Sequence, residues 1–364
     1  MPPEATAELV LAIVTRRWDR AERLTALSPV DPVAFTEQCR ECDVHAWVHH
    51  RLTVEGRLAL VGEPAAERLG AMRRKVRNDT MLVLAAAEQA LDALRGAGIT
   101  PIALKGLDFL HRLYSGVDQR TIDDVDLLVS RESLRPALDA LRQAGFELPP
   151  EPDTLHYIRS SHHLPLRSPG PIAVDLELHW NLAQAGRYTI DAASLFERAL
   201  PLEIGPRRVL RLADTDVVAH LLIHHFSHYF DRRLKWLVDL SRQNEESRID
   251  WQAVRSRLTA WGGLAAAGIS LVHLCKLAPS LIDDEARRAL PAAWWRRALT
   301  WPLRSPHPLE LYRLTRDRRV QLLLAAAMLE RPSLLPAWLW HRAARDAAPS
   351  DHPLDDRDGA TRKG

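Results

Sequence analysis

The segment Arg120-Thr-Ile-Asp-Asp-Val-Asp-Leu-Leu-Val129 carries the densest chemistry in the chain. Side chains at i and i+2 of a strand share a face, so Asp124 and Asp126 point the same way while Val125, Leu127 and Val129 fill the other side. Two carboxylates that close repel unless a cation sits between them, and paired oxygen ligands on one face suit Mg²⁺. Upstream, Ile102-Ala-Leu-Lys105-Gly106 is an apolar strand ending where a helix begins. The glycine lets backbone approach a ligand, and a helix N-terminus beside a lysine is suited to phosphate. Downstream, Ile172-Ala-Val-Asp-Leu-Glu-Leu-His-Trp180 alternates apolar and polar, placing Asp175, Glu177 and His179 on one face. A third metal-facing carboxylate, Glu177 or Asp175, can therefore come from a neighbouring strand. Together these parts suit metal-assisted nucleotidyl transfer.

The combination resembles the uncharacterised nucleotidyltransferase family of the DNA-polymerase-β-like superfamily. That family carries L-K-G, then L-Y, then R-x-x-x-D-h-D-L-L-V, where h is apolar. Here those elements are Leu104-Lys105-Gly106, Leu113-Tyr114 and Arg120 through Val129. An E-L-H-W segment matches Glu177 to Trp180, and a late R-L-K-W-L-h-D motif matches Arg233 to Asp239. The matching elements run in order from about residue 80 to 240. The wider superfamily has Gly-Gly or Gly-Ser where this chain has Lys105-Gly106, and the 17 residues between Gly106 and Asp124 exceed its usual spacing. The resemblance implies transfer of an NMP from an NTP to an acceptor, with Mg²⁺, or Mn²⁺ in its place, held by Asp124, Asp126 and Glu177. It further implies nucleotide contacts from Lys105, Gly106, Arg120, Lys235 and Asp239, and an acceptor pocket shaped by His163, His179, His224 and His228. The acceptor is a small molecule, a peptide or a protein hydroxyl. The rival reading is a catalytically silent nucleotide-binding regulator or partner in a biosynthetic pathway, because fold alone does not fix activity.

Three textures along the chain must position these groups. Residues 1–98 read as helical, and the run through Leu82, Leu84, Leu91 and Leu94 stops at Gly96 and Gly98. Residues 99–205 alternate strands, at Ile99–Leu104, Val125–Val129 and Ile172–Leu178, with helices, one capped by Ser133 with Pro136 in its first turn. Residues 206–346 are helical again, and 347–364 read as a disordered polar tail. The expected class is α+β: a small mixed-sheet catalytic core between two helical regions.

Composition removes other classes. Lys+Arg totals 49 against Asp+Glu 47, so a net charge of +2 gives no electrostatic case for nucleic acid or membrane partners. Only five lysines stand against 44 arginines, which makes Lys105 and Lys235 stand out inside their motifs. Three cysteines make no disulfide framework, and Cys39 and Cys42 lack the second pair a zinc site needs; this fits reduced thiols in a cytoplasmic protein. Cys42, His45 and His49 at helical spacing offer three ligands without a fourth and read as packing. The N-terminus lacks a signal-peptide pattern, and the apolar stretch Leu264–Ala278 is too short to span a bilayer. His220, His224 and His228 recur every four residues and line one helix face with no carboxylate to complete a metal set; they read as cleft residues. His162 joins His163 as a pocket candidate. Late tryptophans, Trp294, Trp295, Trp301, Trp338 and Trp340, read as helix-contact filling.

Overall fold

The computed structural model describes residues 1–184, 187–228, 233–278, 284–291 and 293, with isolated positions at 320, 321, 324, 330 and 336. Five helices come first: α1 (Pro3–Val14), α2 (Trp18–Leu27), α3 (Pro32–Glu41), α4 (His45–Val54) and the long α5 (Glu63–Gly96). α5 ends where the glycines predict. Gly98 has φ +72°, and the Gly98 and Ile99 amides donate back to Arg95 and Leu94 at 2.9 Å each, a Schellman-type closure. α3 and α4 are separate helices, so Cys42 at the end of one does not share a face with His45 and His49 on the other.

The middle of the chain adds β1 (Ile102–Ala103), α6 (Lys105–Arg112), β2 (Asp124–Leu128), α7 (Leu134–Gln143), α8 (Glu151–Ser160), β3 (His163–Arg167), β4 (Asp175–His179), α9 (Ala192–Arg198), β5 (Leu200–Ile204) and β6 (Arg207–Arg211). Ser133 is the N-cap residue of α7, as expected, although its side chain makes no capping bond to the helix. All six strands form one mixed sheet in the order β3-β4-β2-β1-β6-β5. β2 runs parallel to β4 and antiparallel to β1; the two edge strands pair antiparallel with their neighbours. The sheet continues through β6, past the expected core boundary at 205, because β6 pairs parallel with β1.

β2 is central because its residues tolerate burial on both faces. Val125, Leu127, Leu128 and Val129 are fully buried, and α5 packs against this strand and against α7. Each such side chain contributes roughly 1.5–3 kcal/mol when withdrawn from water. That apolar anchoring fixes the register of β2 on β4 and so aligns Asp124 with Asp175, Asp126 with Glu177 and Leu128 with His179.

The helices α10 (Asp214–Ser227), α11 (Lys235–Glu246), α12 (Trp251–Trp261), α13 (Leu264–Leu277) and α14 (Asp284–Ala289) follow. α10 packs on α11, α12 and α13 and carries the histidine row beside the sheet. The class is α+β, as the sequence predicts. Among the described residues no helix is long and apolar enough to cross a membrane. The expected tail from residue 347 and the five late tryptophans lie outside the described residues.

Candidate active site

A cavity of about 410 Å³ opens between the carboxylate face of the sheet and the histidine face of α10. Its floor is the aligned pair of strands. Asp124 and Asp126 reach it from β2, Glu177 and His179 from β4, and His163 from β3, where it is the cross-strand partner of His179.

The turn into α6 supplies the cation. The Leu104 amide donates to the Asp126 carbonyl at 3.1 Å, which holds the turn against β2. Lys105 then takes φ +42°, a left-handed conformation costly for a residue with a Cβ. That bend sends Nζ back over the strand, 3.3 and 3.2 Å from the two Asp126 carboxylate oxygens. Gly106 follows because a Cβ there would stand 3.1 Å from Nη1 of Arg120 and 3.2 Å from the Ile122 side chain.

His179 completes the charge cluster. Its Nε2 lies 2.8 Å from Asp126 Oδ1 and 3.2 Å from Glu177 Oε2. Burial works against the imidazolium, but these two carboxylate bonds outweigh it and raise its pKa. Burial likewise disfavours the Lys105 ammonium, yet Asp126, Glu177 and Asp124 together hold its pKa above the ordinary lysine value. Asp126 is lowered, since Lys105 and His179 overcome its desolvation, and Glu177 is lowered well below normal by His163, His179 and Lys105. Asp124 is the exception. Desolvation, then the charges on Asp126 and Glu177, push its carboxyl up to about 7. One member of the set therefore exchanges its proton near neutrality, and added positive charge favours its ionised form.

The oxygen donors fit a hard divalent ion. Asp126 and Glu177 offer carboxylate oxygens within 4.8 Å of each other, with His179 beside both, and Asp124 stands two residues along the same face as Asp126. Asp175 departs from this group. It faces Arg167 across the β3–β4 pair, with Arg167 Nε 3.8 Å from Oδ1, and it does not line the cavity.

Two other expected nucleotide residues form a buried tie with each other. Arg120 lines the cavity, but its Nε and Nη2 donate to Asp239 at 2.8 and 2.9 Å, and Nη1 donates to the Thr121 carbonyl. Asp239 is fully buried, also accepts from the Tyr114 hydroxyl at 2.7 Å, and does not line the cavity. The pair fastens α11 to the loop entering β2, and Arg120 stands beside Gly106 with three of its five guanidinium N–H groups committed within the protein. Lys235, by contrast, lines the cavity while its Nζ contacts Asp43 at 2.5 Å and Asp123 at 3.5 Å. Asp43 sits at φ +55° between α3 and α4 and also accepts from Thr121 at 2.6 Å. Nothing local in the sequence marked Asp43 for this role.

The opposite wall is imidazole and indole. His220, His224 and His228 lie 5.6 and 4.4 Å apart between ring centroids in edge-on and tilted contacts, and Trp236 packs on His224 and His228 at 5.2 and 4.9 Å. Burial holds the His220 and His228 pKa values down at about 3 and His224 well below normal, so the wall is neutral. Arg187, Gln184 and Tyr188 also line the cavity and carried no motif signal. Arg233 and Trp236 belong to the late motif that brought Lys235 forward.

A model of a family described as uncharacterised nucleotidyltransferase matches residues 28–278, well over half of the chain. The matched span contains every element that builds the cavity floor. No curated protein matches the chain. The chain belongs to this nucleotidyltransferase family.

Proposed function

From that membership we propose that the chain is a Mg²⁺-dependent nucleotidyltransferase that moves an NMP from an NTP to an acceptor hydroxyl. The supporting observation is the convergence of Asp124, Asp126 and Glu177 on one cavity, with Lys105 bent over them. Asp124, Asp126 and Glu177 would hold Mg²⁺, or Mn²⁺ in its place, and the metal would neutralise triphosphate charge at the reacting phosphorus. Lys105 and the first amides of α6 bind phosphate oxygens, and Lys235 adds positive charge at the cavity mouth. Glu177, kept ionised by His163 and His179, accepts a hydrogen bond from the acceptor hydroxyl and takes its proton as the oxygen bonds to the α-phosphorus. The bond from the α-phosphorus to the bridging oxygen breaks, and pyrophosphate leaves with its electron pair. The neutral histidine wall of α10 receives the acceptor without competing for phosphate, and Trp236 offers an aromatic surface beside it. Calorimetric titration of each NTP into the protein, with and without Mg²⁺, tests this reading. Tight binding only with Mg²⁺ supports it, and metal-independent or absent binding contradicts it. NTP binding without pyrophosphate release in any acceptor mixture would favour the silent regulator.

A further inference from the structure

The two sides of the cavity floor differ in donor chemistry. On the β2 side stand carboxylates. On the β3 side stand three imidazoles drawn from two places in the chain: His162 and His163 at the start of β3, and His179 at the end of β4. The antiparallel register of this strand pair sets His163 directly opposite His179, and the Trp180 amide bonds the His162 carbonyl at 3.0 Å, which pins the third ring alongside. Ring centroids lie 4.7, 5.1 and 5.6 Å apart, and one nitrogen from each ring falls within 4.8 Å of the other two.

This crowding gains little within the protein. The His162–His163 nitrogen contact is long at 3.4 Å. Nδ1 of His162 and Nδ1 of His179 are buried with no hydrogen-bond partner. Buried polar atoms are normally satisfied, so orphaned imidazole nitrogens in a tight cluster point to a missing partner. Glu177 touches the same cluster, 3.8 Å from His163 Nε2 and 3.2 Å from His179 Nε2. Three imidazoles and one carboxylate are a donor set for borderline transition metals, whereas Mg²⁺ takes oxygen ligands.

We propose that His162, His163 and His179, with Glu177, form a second cation site that takes a divalent transition-metal ion of the Zn²⁺, Co²⁺ and Ni²⁺ class in preference to Mg²⁺. The proposal rests on the nucleotidyltransferase reading only in placing this site beside the oxygen-donor one. Sharing Glu177 would make the floor a centre for two unlike ions.

The test uses Co²⁺ alone as the probe on metal-stripped full-length protein, read by its visible ligand-field absorption. One Co²⁺ per chain with a nitrogen-ligated spectrum should persist in roughly thousandfold excess of Mg²⁺. His162→Ala and His163→Gln should each weaken Co²⁺ by about tenfold or more, while Asp124→Asn leaves it within about threefold. Far-UV circular dichroism of each variant confirms that it is folded. Displacement of Co²⁺ by Mg²⁺ in the wild type overturns the proposal without recourse to any variant, as does a spectrum unchanged in both histidine variants. Mg²⁺-dependent NTP binding, measured on the same wild-type sample, reports separately on the nucleotidyltransferase reading.

Discussion

Asp239→Asn keeps the size of the side chain and removes its charge, which isolates the buried tie between α11 and the loop entering β2. In the wild type the carboxylate is fully buried and accepts two Arg120 bonds and one from Tyr114. The Arg120 side chain is only 6% exposed, so water cannot replace the lost counter-charge. An amide keeps one acceptor oxygen, and its NH₂ group must face a guanidinium N–H. Breaking one partner of a buried pair costs about 3–5 kcal/mol. Against a typical stability of roughly 5–15 kcal/mol, that is a large share of the fold. Urea unfolding followed by circular dichroism should show this as a lower midpoint at unchanged slope. Arg120 Nη1 also packs against Gly106, so the turn that aims Lys105 loosens and Mg²⁺-dependent NTP affinity falls with it. Replacing both partners by apolar residues, Arg120→Met with Asp239→Leu, should recover most of the stability, since no charge is left stranded. A loss below about 1 kcal/mol for Asp239→Asn, or a double variant no more stable than the single one, would refute the reasoning.

Proton linkage follows from Asp124, whose folded pKa of about 7 lies above its ordinary value. Its contribution to stability is fully present below about pH 4 and is lost as pH rises toward 7, whereas Mg²⁺ must displace its proton below 7. Apparent Mg²⁺ affinity should therefore fall about tenfold per pH unit below 7 and level off above it, and calorimetry in buffers of different ionisation heat should count close to one proton released at acidic pH. A flat profile from pH 5 to 8 contradicts this. Glu177→Gln should cut turnover by about 10²-fold or more with little change in NTP affinity, while Asp175→Asn, held outside the cavity by Arg167, should leave both near wild type. Steady-state kinetics with each variant distinguishes them, and a larger loss for Asp175→Asn reverses the assignment. Lys105→Arg should lower turnover although charge is kept, because a planar guanidinium cannot occupy the ammonium's place over Asp126; unchanged kinetics would remove Lys105 from the reaction.

The floor of the site was legible because it is built from period-two alternation. Asp124 with Asp126, and Glu177 with His179, follow from strand geometry once the apolar residues between them fix which face is buried. The expected strand at Ile99–Leu104 shrinks to two residues, because Gly98 is still closing α5 and Pro101 has no amide to donate. β3 and β5 escaped notice for a related reason. Each carries a proline, Pro165 and Pro201, which argues against a central strand but is tolerated at the sheet edges where both lie. β6 is arginine-rich with Val209 as its buried residue, so it carries little strand signal. The histidine wall was visible as a four-residue period on α10. What the sequence could not show is pairing at long range. The partners of Arg120 and Lys235 lie 119 residues and nearly two hundred residues away, and only the packing of α11 and the α3–α4 turn against the β2 loop brings them together.

The central claim is metal-dependent nucleotidyl transfer through the Asp124, Asp126 and Glu177 floor. The most direct measurement incubates the protein with each NTP labelled at the α-phosphate, Mg²⁺ and a mixture of hydroxyl acceptors, and follows labelled product together with pyrophosphate. The wild type should release one pyrophosphate per labelled NMP transferred, and Asp126→Asn, still binding Lys105 and His179 less tightly but folded, should fall by about 10³-fold or more. Release of inorganic phosphate in place of pyrophosphate, or an Asp126→Asn variant that transfers at the wild-type rate, would contradict the account.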